Sequence, residues 1–385
     1  MTDSPEPGLH DRHSGLESYL LAVARGRPGL VPTLLRGLLS AMAPAYCIGL
    51  ELFLLPYRLG IRKRHRLPCP VLCIGNLTTG GTGKTPMTQA VCRLLRAAGK
   101  RVVVLSRGYG GQNEYGCAIV SDGERLLLTA KESGDEAYLL ASTLPGIPVA
   151  VGKDRRVTGR LAWERFHPDV IVLDDGMQFW QLHRDLDIVL LNACEPFDNG
   201  WTFPRGLLRE PPSHLRRAGI VVLTNAQRAG TEQVATVQKQ VAKLAPGVPV
   251  FTADLAPTGL RALAGKIEYP LAWLQGQKVA ALSALGNPAA FEAMLETLGA
   301  NLLTRFRFRD HKQITDEELK RACDEAKADH VETVITTEKD AVKLNHEAVS
   351  LPLLALQVEM QIEGETELWR VVENVLNSQI SRSGK

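Results

Sequence analysis

Residues 73–90, CIGNLTTGGTGKTPMTQA, have the residue types and spacing of a phosphate-binding loop. Glycines in such a turn let backbone N–H groups face the phosphates, and the following helix N-terminus adds partial positive charge. Lys84 would reach the β- and γ-phosphates, and the Thr85 hydroxyl would ligate Mg²⁺. The usual pattern begins with glycine, but this loop begins with Thr78, so Gly80 and Gly81 must supply the sharp turn. The predicted phosphate-binding residues are Thr78, Thr79, Gly80, Gly81, Thr82, Gly83, Lys84 and Thr85.

A glycine-rich connection that binds no ligand is the alternative for this stretch. The order of an apolar strand, the loop, Lys-Thr and a helix favours the nucleotide loop, because that is the context in which the motif works.

Two adjacent carboxylates, Asp174 and Asp175, follow the apolar run VIVL. Proteins with a phosphate loop hold Mg²⁺ with the help of an acid at the end of a nearby strand. Adjacent carboxylates are costly unless a cation or hydrogen-bond donors compensate them. The pair therefore predicts a Mg²⁺ site, although an apolar strand that ends in Asp-Asp is by itself often a turn.

Two common classes of nucleotide-binding protein lack their markers here. A GTPase reads guanine through Asn-Lys-x-Asp at a later strand end, and the best-placed segment here is TNAQ at 224–227. Partition-type ATPases carry a lysine five residues before the motif lysine, and that position is Thr79. These absences favour a kinase whose acceptor is a small molecule or a lipid.

Around these motifs the sequence alternates between strand and helix signals. Helices are predicted over 85–98 and 134–143, and strands over 71–75, 101–108, 148–152, 170–175, 187–193 and 218–226. Near-continuous apolar strands that alternate with helices indicate a parallel sheet covered on both faces. A transition at 227–265, read as one helix followed by turns, precedes a second α/β set.

We therefore expect an α/β protein with a P-loop NTPase-type parallel-sheet lobe, a second, smaller C-terminal α/β lobe and an N-terminal membrane-associated helix. The predicted divisions are a mobile extension at 1–28, the membrane-associated helix and basic cluster at 29–68, the P-loop kinase core at 69–226, the C-terminal α/β lobe at 227–355, and a terminal strand, helix and tail at 356–385.

The N-terminal region carries an apolar segment over residues 37–57, interrupted by Glu51 and two prolines. Five Lys/Arg follow among residues 58–66. An apolar helix followed by basic residues suits a monotopic anchor on an anionic membrane surface. A single span and a buried core helix with a solvated basic tail are the alternatives, and no cleavable signal peptide is expected.

Composition excludes some classes. The 385 residues carry a net charge of only +3, so we expect no nucleic-acid partner. None of the 7 cysteines forms a C-x-x-C pair, which argues against zinc ligation and predicts buried thiols in a reducing cytoplasm.

Seven phrases occur in an order that resembles the tetraacyldisaccharide 4'-kinase family of Gram-negative bacteria. They are GNLTTGGTGKTP (75–86), SRGYGG (106–111), GDEAYLLA (134–141), LDDGMQ (173–178), NGWTFPRGLLRE (199–210), FRDHKQIT (308–315) and TTEKDAVKL (336–344). The resemblance runs from about residue 30 to about residue 375. It implies ATP- and Mg²⁺-dependent phosphorylation of the 4'-hydroxyl of an acylated glucosamine disaccharide 1-phosphate. It also implies a site of action at the cytoplasmic face of the inner membrane, and we expect a monomer.

The resemblance also implies roles for single residues. Thr78 matches the family's loop, which has threonine at that position. The family's catalytic aspartate falls on Asp135, which would accept or orient the proton of the sugar hydroxyl, and its histidine partner falls on His311. Lys84 completes the predicted catalytic set. Taken alone, Asp135 would be a carboxylate at a helix N-terminus and His311 a surface histidine.

Further assignments leave alternatives open. Glu136 would help to hold Mg²⁺ or simply begin a helix. Arg155 and Arg156 would neutralise phosphate or serve as solvated surface charge. Lys339 and Asp340 suggest a loop on the nucleotide side or on the cleft side.

Three positions, in two segments, depart from the family pattern. Phe179 stands where the family often has histidine, which puts a minor role of that histidine in doubt. Arg205 and Leu207 replace smaller residues or proline, a change that would alter contacts with the acceptor. A competing hypothesis is a soluble P-loop ATPase, a switch or chaperone that binds a protein partner through its C-terminal lobe.

Overall fold

The structure is a computed structural model that describes residues 19, 22–24, 26–265, 267–309 and 312–383. Most of the predicted extension at 1–28 lies outside these ranges, as does His311.

The first half of the chain forms seven strands around the predicted phosphate loop: β1 (Val71–Asn76), β2 (Val102–Ser106), β3 (Ala118–Ser121), β4 (Val149–Val151), β5 (Val170–Asp174), β6 (Leu186–Asn192) and β7 (Ile220–Thr224). Their order is β7-β6-β1-β5-β2-β4-β3, and all neighbours are parallel except β3 and β4. The predicted parallel sheet is confirmed, because the apolar runs that suggested it are buried along their whole length.

The helices of this half are α1 (Leu30–Arg58), α2 (Lys84–Ala97), α3 (Ala130–Ser133), α4 (Asp135–Thr143), α5 (Arg155–Phe166), α6 (Ala226–Ala229) and α7 (Thr231–Leu244). Helices α2 and α4 pack on one face of the sheet, and α5 and α7 pack on the other. Successive strand residues point to opposite faces. Leu72 therefore joins a core with Met87 of α2 and Leu140 of α4, whereas Cys73 joins a core with Ala162 of α5 and Val237 of α7.

The second half adds six strands and four helices among the described residues: β8 (Val250–Ala262), β9 (Glu268–Tyr269), β10 (Lys278–Ser283), α8 (Pro288–Thr297), β11 (Asn301–Arg307), α9 (Asp316–Ala328), β12 (Thr333–Thr337), α10 (Glu338–Ala341), β13 (Leu353–Glu363) and α11 (Glu365–Ser383). Parallel strands in the order β11-β10-β12-β13 form the C-terminal part of the sheet. The antiparallel pair β13–β8 joins them to β7, so one sheet runs through both halves. The predicted division into domains stays a prediction.

One element differs from the expectation for residues 227–265. The segment read as turns contains β8, a strand of 13 residues that includes Pro257. A shift of register between Gln357 and Val358 of β13 lies opposite this proline. Such a bulge lets a sheet accommodate a residue that cannot donate a hydrogen bond.

Helix α1 is long and apolar enough to cross a membrane, and only 11% of its most apolar stretch is buried. That exposure does not fit the alternative of a core helix. Its exposed large apolar side chains are Leu30, Val31, Leu34, Leu38, Met42, Ile48, Leu52, Phe53 and Leu55.

Candidate active site

The predicted phosphate loop connects β1 to α2. Gly80 has a φ of 123° and Gly83 a φ of 80°, a backbone region that favours glycine. Gly83 immediately precedes α2, which begins at Lys84. The Thr82 N–H donates to the carbonyl of Gly80 (3.1 Å). The strand, loop and helix expected from the sequence are therefore present.

Thr78 and Thr79 are braced by the segment 201–210. The Thr79 N–H donates to the Leu207 carbonyl (2.8 Å), and the Arg209 N–H donates to the Leu77 carbonyl (2.7 Å). Thr78 forms an antiparallel bridge with Leu208. Extended backbone at this position explains why threonine serves where the usual motif has glycine, since β-branched residues favour extended backbone.

Asn76, at the end of β1, links the loop to its lysine. Its Nδ2 donates to Thr82 Oγ1 (2.9 Å), and its Oδ1 accepts from Lys84 Nζ (3.5 Å). Lys84 Nζ also lies 3.9 Å from Asp175 Oδ2. The predicted phosphate-binding lysine and the predicted metal carboxylate therefore lie close together. Asn76 lies two residues before the loop begins at Thr78, and no motif in the sequence marks it as a site residue.

Asp174 ends β5 and is only 2% exposed. It accepts hydrogen bonds from Thr88 Oγ1 (3.0 Å) and Ser106 Oγ (3.5 Å). Burial and the negative charges of Glu136 and Asp175 together raise the pKa of Asp174 to about 7, against the opposing effects of Lys84 and of the Thr88 hydrogen bond. The three predicted metal-binding carboxylates, Asp174, Asp175 and Glu136, therefore repel one another electrostatically.

Asp175 has a different environment. Its backbone is left-handed, with a φ of 49°, and Arg209 Nη1 donates to both carboxylate oxygens (2.9 and 3.0 Å). Burial alone would raise the pKa of Asp175, but the positive charges of Lys84 and Arg209 outweigh it and hold the pKa below its usual value. Asp175 is therefore ionised, whereas Asp174 is partly protonated near neutral pH.

These residues fit Mg²⁺ held in part by a nucleotide. Within the described ranges no three His, Cys, Asp or Glu side chains form a ready metal cage. Mg²⁺ bound with nucleotides uses one or two carboxylates together with phosphate oxygens and water. The buried, uncompensated negative charge at Asp174 is what such a cation would neutralise. Thr85 at the start of α2 and the carboxylates of Asp174, Asp175 and Glu136 would hold it.

Asp135 is the first residue of α4, and the two residues that follow SRGYGG bind the backbone just before it. The N–H groups of Gln112 and Asn113 donate to the carbonyls of Lys131 (3.2 Å) and Glu132 (3.0 Å). These bonds fix the backbone just before Asp135. The predicted partner of Asp135, His311, lies outside the described residues.

Lys343, in the C-terminal part of the chain, contacts Asp135. Its Nζ lies 2.9 Å from Asp135 Oδ2 and 3.6 Å from Asp340 Oδ1, and its side chain is only 3% exposed. Asp340 is itself buried and accepts from the Ala284 N–H (3.0 Å) and from Thr337 Oγ1 (2.8 Å). Asp340 therefore anchors the segment that carries Lys343. Lys343 lies three residues after Asp340 in TTEKDAVKL, a segment in which only Lys339 and Asp340 were predicted to belong to the site.

The two predicted arginines occupy different places. Arg155 is buried, its guanidinium lies 5.7 Å from the Phe179 ring centre, and its Nε has no hydrogen-bond partner in the described part of the chain. Burial lowers the pKa of Arg155, as does the charge of Arg107, and the charges of Asp175 and Asp174 oppose both. Arg156 instead pairs with Asp154 at the surface (2.6 Å). Phe179 thus packs on a buried cation near the carboxylates.

Arg205 holds helix α1 to the segment 201–210. Its guanidinium donates to the Ala24 carbonyl (2.7 Å) and to Ser40 Oγ (3.1 Å). Leu207 contributes the carbonyl that receives the Thr79 N–H. The Arg205 side chain therefore has a structural role in this chain, whereas Leu207 makes its contact through the backbone.

Comparison with known proteins gives one consistent family. A family model for tetraacyldisaccharide-1-P 4'-kinase matches residues 35–377. A tetraacyldisaccharide 4'-kinase of Syntrophus aciditrophicus is 41% identical over 347 residues, which cover 85% of this chain and 92% of that protein. That of Geobacter metallireducens is 40% identical over 348 residues, which cover 90% and 100%.

A solved structure agrees with these relatives. The crystal structure of LpxK from Aquifex aeolicus in complex with ATP matches with a TM-score of 0.74 and 32% sequence identity. The match covers 89% of this chain and 99% of that one. Since the family model and the relatives cover most of the chain, it belongs to the tetraacyldisaccharide-1-P 4'-kinase family.

Proposed function

We propose that this protein transfers the γ-phosphoryl group of ATP to the 4'-hydroxyl of tetraacyldisaccharide 1-phosphate in lipid A biosynthesis. Its family membership supports a kinase over the alternative of an ATPase switch or chaperone. The proposal rests on the proximity of the predicted nucleotide-binding groups to the predicted catalytic and metal-binding carboxylates. Lys84 lies beside Asp175, and Glu136, next to Asp135, acts electrostatically on Asp174.

The chemistry follows from these positions. Phosphoryl transfer depends mainly on positioning and on the neutralisation of charge at the transferred group. Lys84 would neutralise charge that develops on the γ-phosphate, and bound Mg²⁺ would supply further positive charge to the phosphate oxygens. Asp135 would accept the proton of the 4'-hydroxyl through Oδ1 while Lys343 holds Oδ2. His311 remains the predicted second partner of Asp135.

Arg155 supports phosphate binding more strongly than Arg156 does. A buried guanidinium near Asp174 and Asp175, with an Nε that has no partner in the described part of the chain, suits a phosphate oxygen. Arg156 instead lines a surface cavity of about 590 Å³. That cavity is otherwise lined by Tyr57, Arg62, Lys63, Arg64, His65, Arg66 and Gln181.

The location we propose is the cytoplasmic face of the inner membrane, with α1 as a monotopic anchor. A substrate with four acyl chains stays in the bilayer, so the enzyme must work at its surface. The exposed apolar side of α1 and the basic cavity that follows it suit an anionic membrane surface. We further propose a monomer that binds no nucleic acid.

A direct assay tests this function. The full-length protein in detergent is incubated with γ-labelled ATP, Mg²⁺ and the disaccharide 1-phosphate lipid. We expect labelled lipid that carries the new phosphate at the 4'-position. Nucleotide binding without labelled lipid would refute the proposal. Glu164→Gln, which removes an exposed carboxylate paired with Arg160, is the matched control and should retain activity.

A further inference from the structure

Glu51 is an acidic residue within the apolar helix α1. A charged side chain in such a helix is costly without a partner, so it indicates a specific role. Its Oε1 lies 2.6 Å from His214 Nε2, and its Oε2 contacts Arg58 Nη1. The Glu51 carboxylate therefore contacts the protein, although its side chain is 41% exposed, and its neighbours Leu52 and Phe53 are exposed.

His214 connects Glu51 to a second carboxylate. It lies in the short helical turn Pro212–Arg217 and is buried. Its Nδ1 lies 2.7 Å from Glu210 Oε2. Each ring nitrogen therefore lies within hydrogen-bond distance of a carboxylate oxygen. Arg58 Nη2 lies 3.1 Å from Nε2, farther than the Glu51 oxygen.

Glu210 links His214 to Gln178 in the interior of the protein. It is 1% exposed and accepts from Arg217 Nη2 (2.8 Å) and from Gln178 Nε2 (3.1 Å). Burial alone would raise the pKa of Glu210, but hydrogen bonds from Arg217 and His214 lower it to about 2. A fully ionised, fully bonded carboxylate at this point is rigid, because each bond limits its rotation.

Gln178 contacts both the strand before the phosphate loop and the arginine that binds Asp175. Its Nε2 donates to the Asn76 carbonyl (3.1 Å), and its Oε1 accepts from Arg209 Nη1 (3.1 Å). Asn76 holds Thr82 of the phosphate loop, and Arg209 holds Asp175. An unbroken series of polar contacts thus runs from the membrane helix to the phosphate loop and to a predicted metal ligand.

A second contact path runs beside the first. Tyr46 of α1 donates through its hydroxyl to the Arg209 carbonyl (2.8 Å), and Cys47 Sγ lies 3.2 Å from Thr202 Oγ1. The segment that receives these contacts is the one that pairs with Leu77 and Thr79.

We propose that Glu51 and His214 are positioning residues that couple the docking of the membrane helix to the geometry of the nucleotide site. Through this coupling, the phosphate loop and Asp175 would be aligned only while α1 is packed against the rest of the protein. The benefit of such a coupling rests on the proposed function. An enzyme with a membrane-bound acceptor gains from a nucleotide site that depends on the membrane helix in this way.

Hydrogen–deuterium exchange of the full-length, nucleotide-free protein in detergent tests the coupling without relying on activity. Peptides that cover 77–85 and 205–210 should exchange about tenfold faster in Glu51→Gln and in His214→Gln than in the wild type, because their backbone bonds open more often. Peptides from β10 and β12 should not change, and Glu164→Gln should match the wild type throughout. Unchanged exchange at 77–85 in both variants would overturn the proposal.

The double variant Glu51→Gln/His214→Gln separates positioning from simple charge burial. If the pair positions the site, the double variant exchanges as fast at 77–85 as either single variant, and its kcat falls about 10- to 100-fold with the KM for the lipid within about twofold. If the double variant regains wild-type protection and kcat, only an unpaired buried charge mattered, and the proposal is wrong. If exchange at 77–85 is faster in the variants, as expected, but the wild type phosphorylates no lipid, the proposed function is refuted and the coupling still holds.

Discussion

Replacement of Asp174 by asparagine should stabilise the metal-free protein at high pH. The pKa of this buried carboxyl is about 7, against an ordinary value of 3.8. Because the folded-state value is the higher one, the folded protein binds a proton that the unfolded chain releases, and stability falls as the pH rises from about 4 to about 7. Asparagine carries no such charge, can accept from Thr88 and can donate to Ser106.

The size of the effect follows from the difference of roughly 3 pH units. At about 1.36 kcal/mol per unit, the ionised Asp174 costs the apo protein about 4 kcal/mol at pH 8 and under about 2 kcal/mol at pH 5. The stability gap between Asp174→Asn and the wild type should therefore widen by about 2–3 kcal/mol across this range. For 385 residues, at about 2.1 cal/mol/K per residue, that is about 3 °C in Tm.

The assay is thermal unfolding of both proteins in detergent with EDTA, at intervals from pH 5 to pH 8. A gap that stays constant with pH, or that narrows as the pH rises, would refute the reasoning. With Mg²⁺ and ATP added at pH 8, the wild type should gain more in Tm than the variant does, because the bound cation compensates the carboxylate.

Three further predictions concern other parts of the molecule. In steady-state kinetics, Lys343→Met should lower kcat about 100-fold while the KM for ATP stays within about twofold, and Lys343→Arg should restore part of the lost kcat. The control Lys320→Met, at an exposed lysine, should have no effect. Gly83→Ala should weaken ATP binding in equilibrium titrations and cost about 1–2 kcal/mol in stability, because a φ of 80° strains any other residue. Leu38→Glu and Leu52→Glu should reduce flotation with anionic lipid vesicles without lowering Tm, and retained flotation would count against α1 as the membrane anchor.

The parts of the site that sequence predicts are those carried by short contiguous stretches. The phosphate loop needs glycines, Lys84 and Thr85 within a few residues, and the carboxylates Asp174 and Asp175 follow a strand of uninterrupted apolar residues. The parallel order of the central strands follows from the same apolar runs. These features depend on local backbone preferences and on burial, which the residue types reveal directly.

The parts that sequence does not predict arise from contacts between distant segments. Lys343 approaches Asp135 only because β12 and α10 pack near α4, and no local pattern marks it. Arg209 and Glu210 lie in a loop whose partners are found just after β1 and after β5. The strand β8 is hidden in sequence by its Ala-Pro and Thr-Gly pairs, which a bulge in β8 itself accommodates, opposite Gln357 and Val358 of β13.

The most direct test of the central claim compares phosphoryl transfer with ATP binding in the wild type and in Asp135→Ala. Enzyme in excess over γ-labelled ATP is mixed with the lipid acceptor in detergent, and the rate of label transfer in a single turnover is measured beside the Kd for ATP. If Asp135 accepts the proton of the 4'-hydroxyl, the variant binds ATP within about threefold of the wild type but transfers label at least about 100-fold more slowly. Transfer by the variant at the wild-type rate would contradict the account.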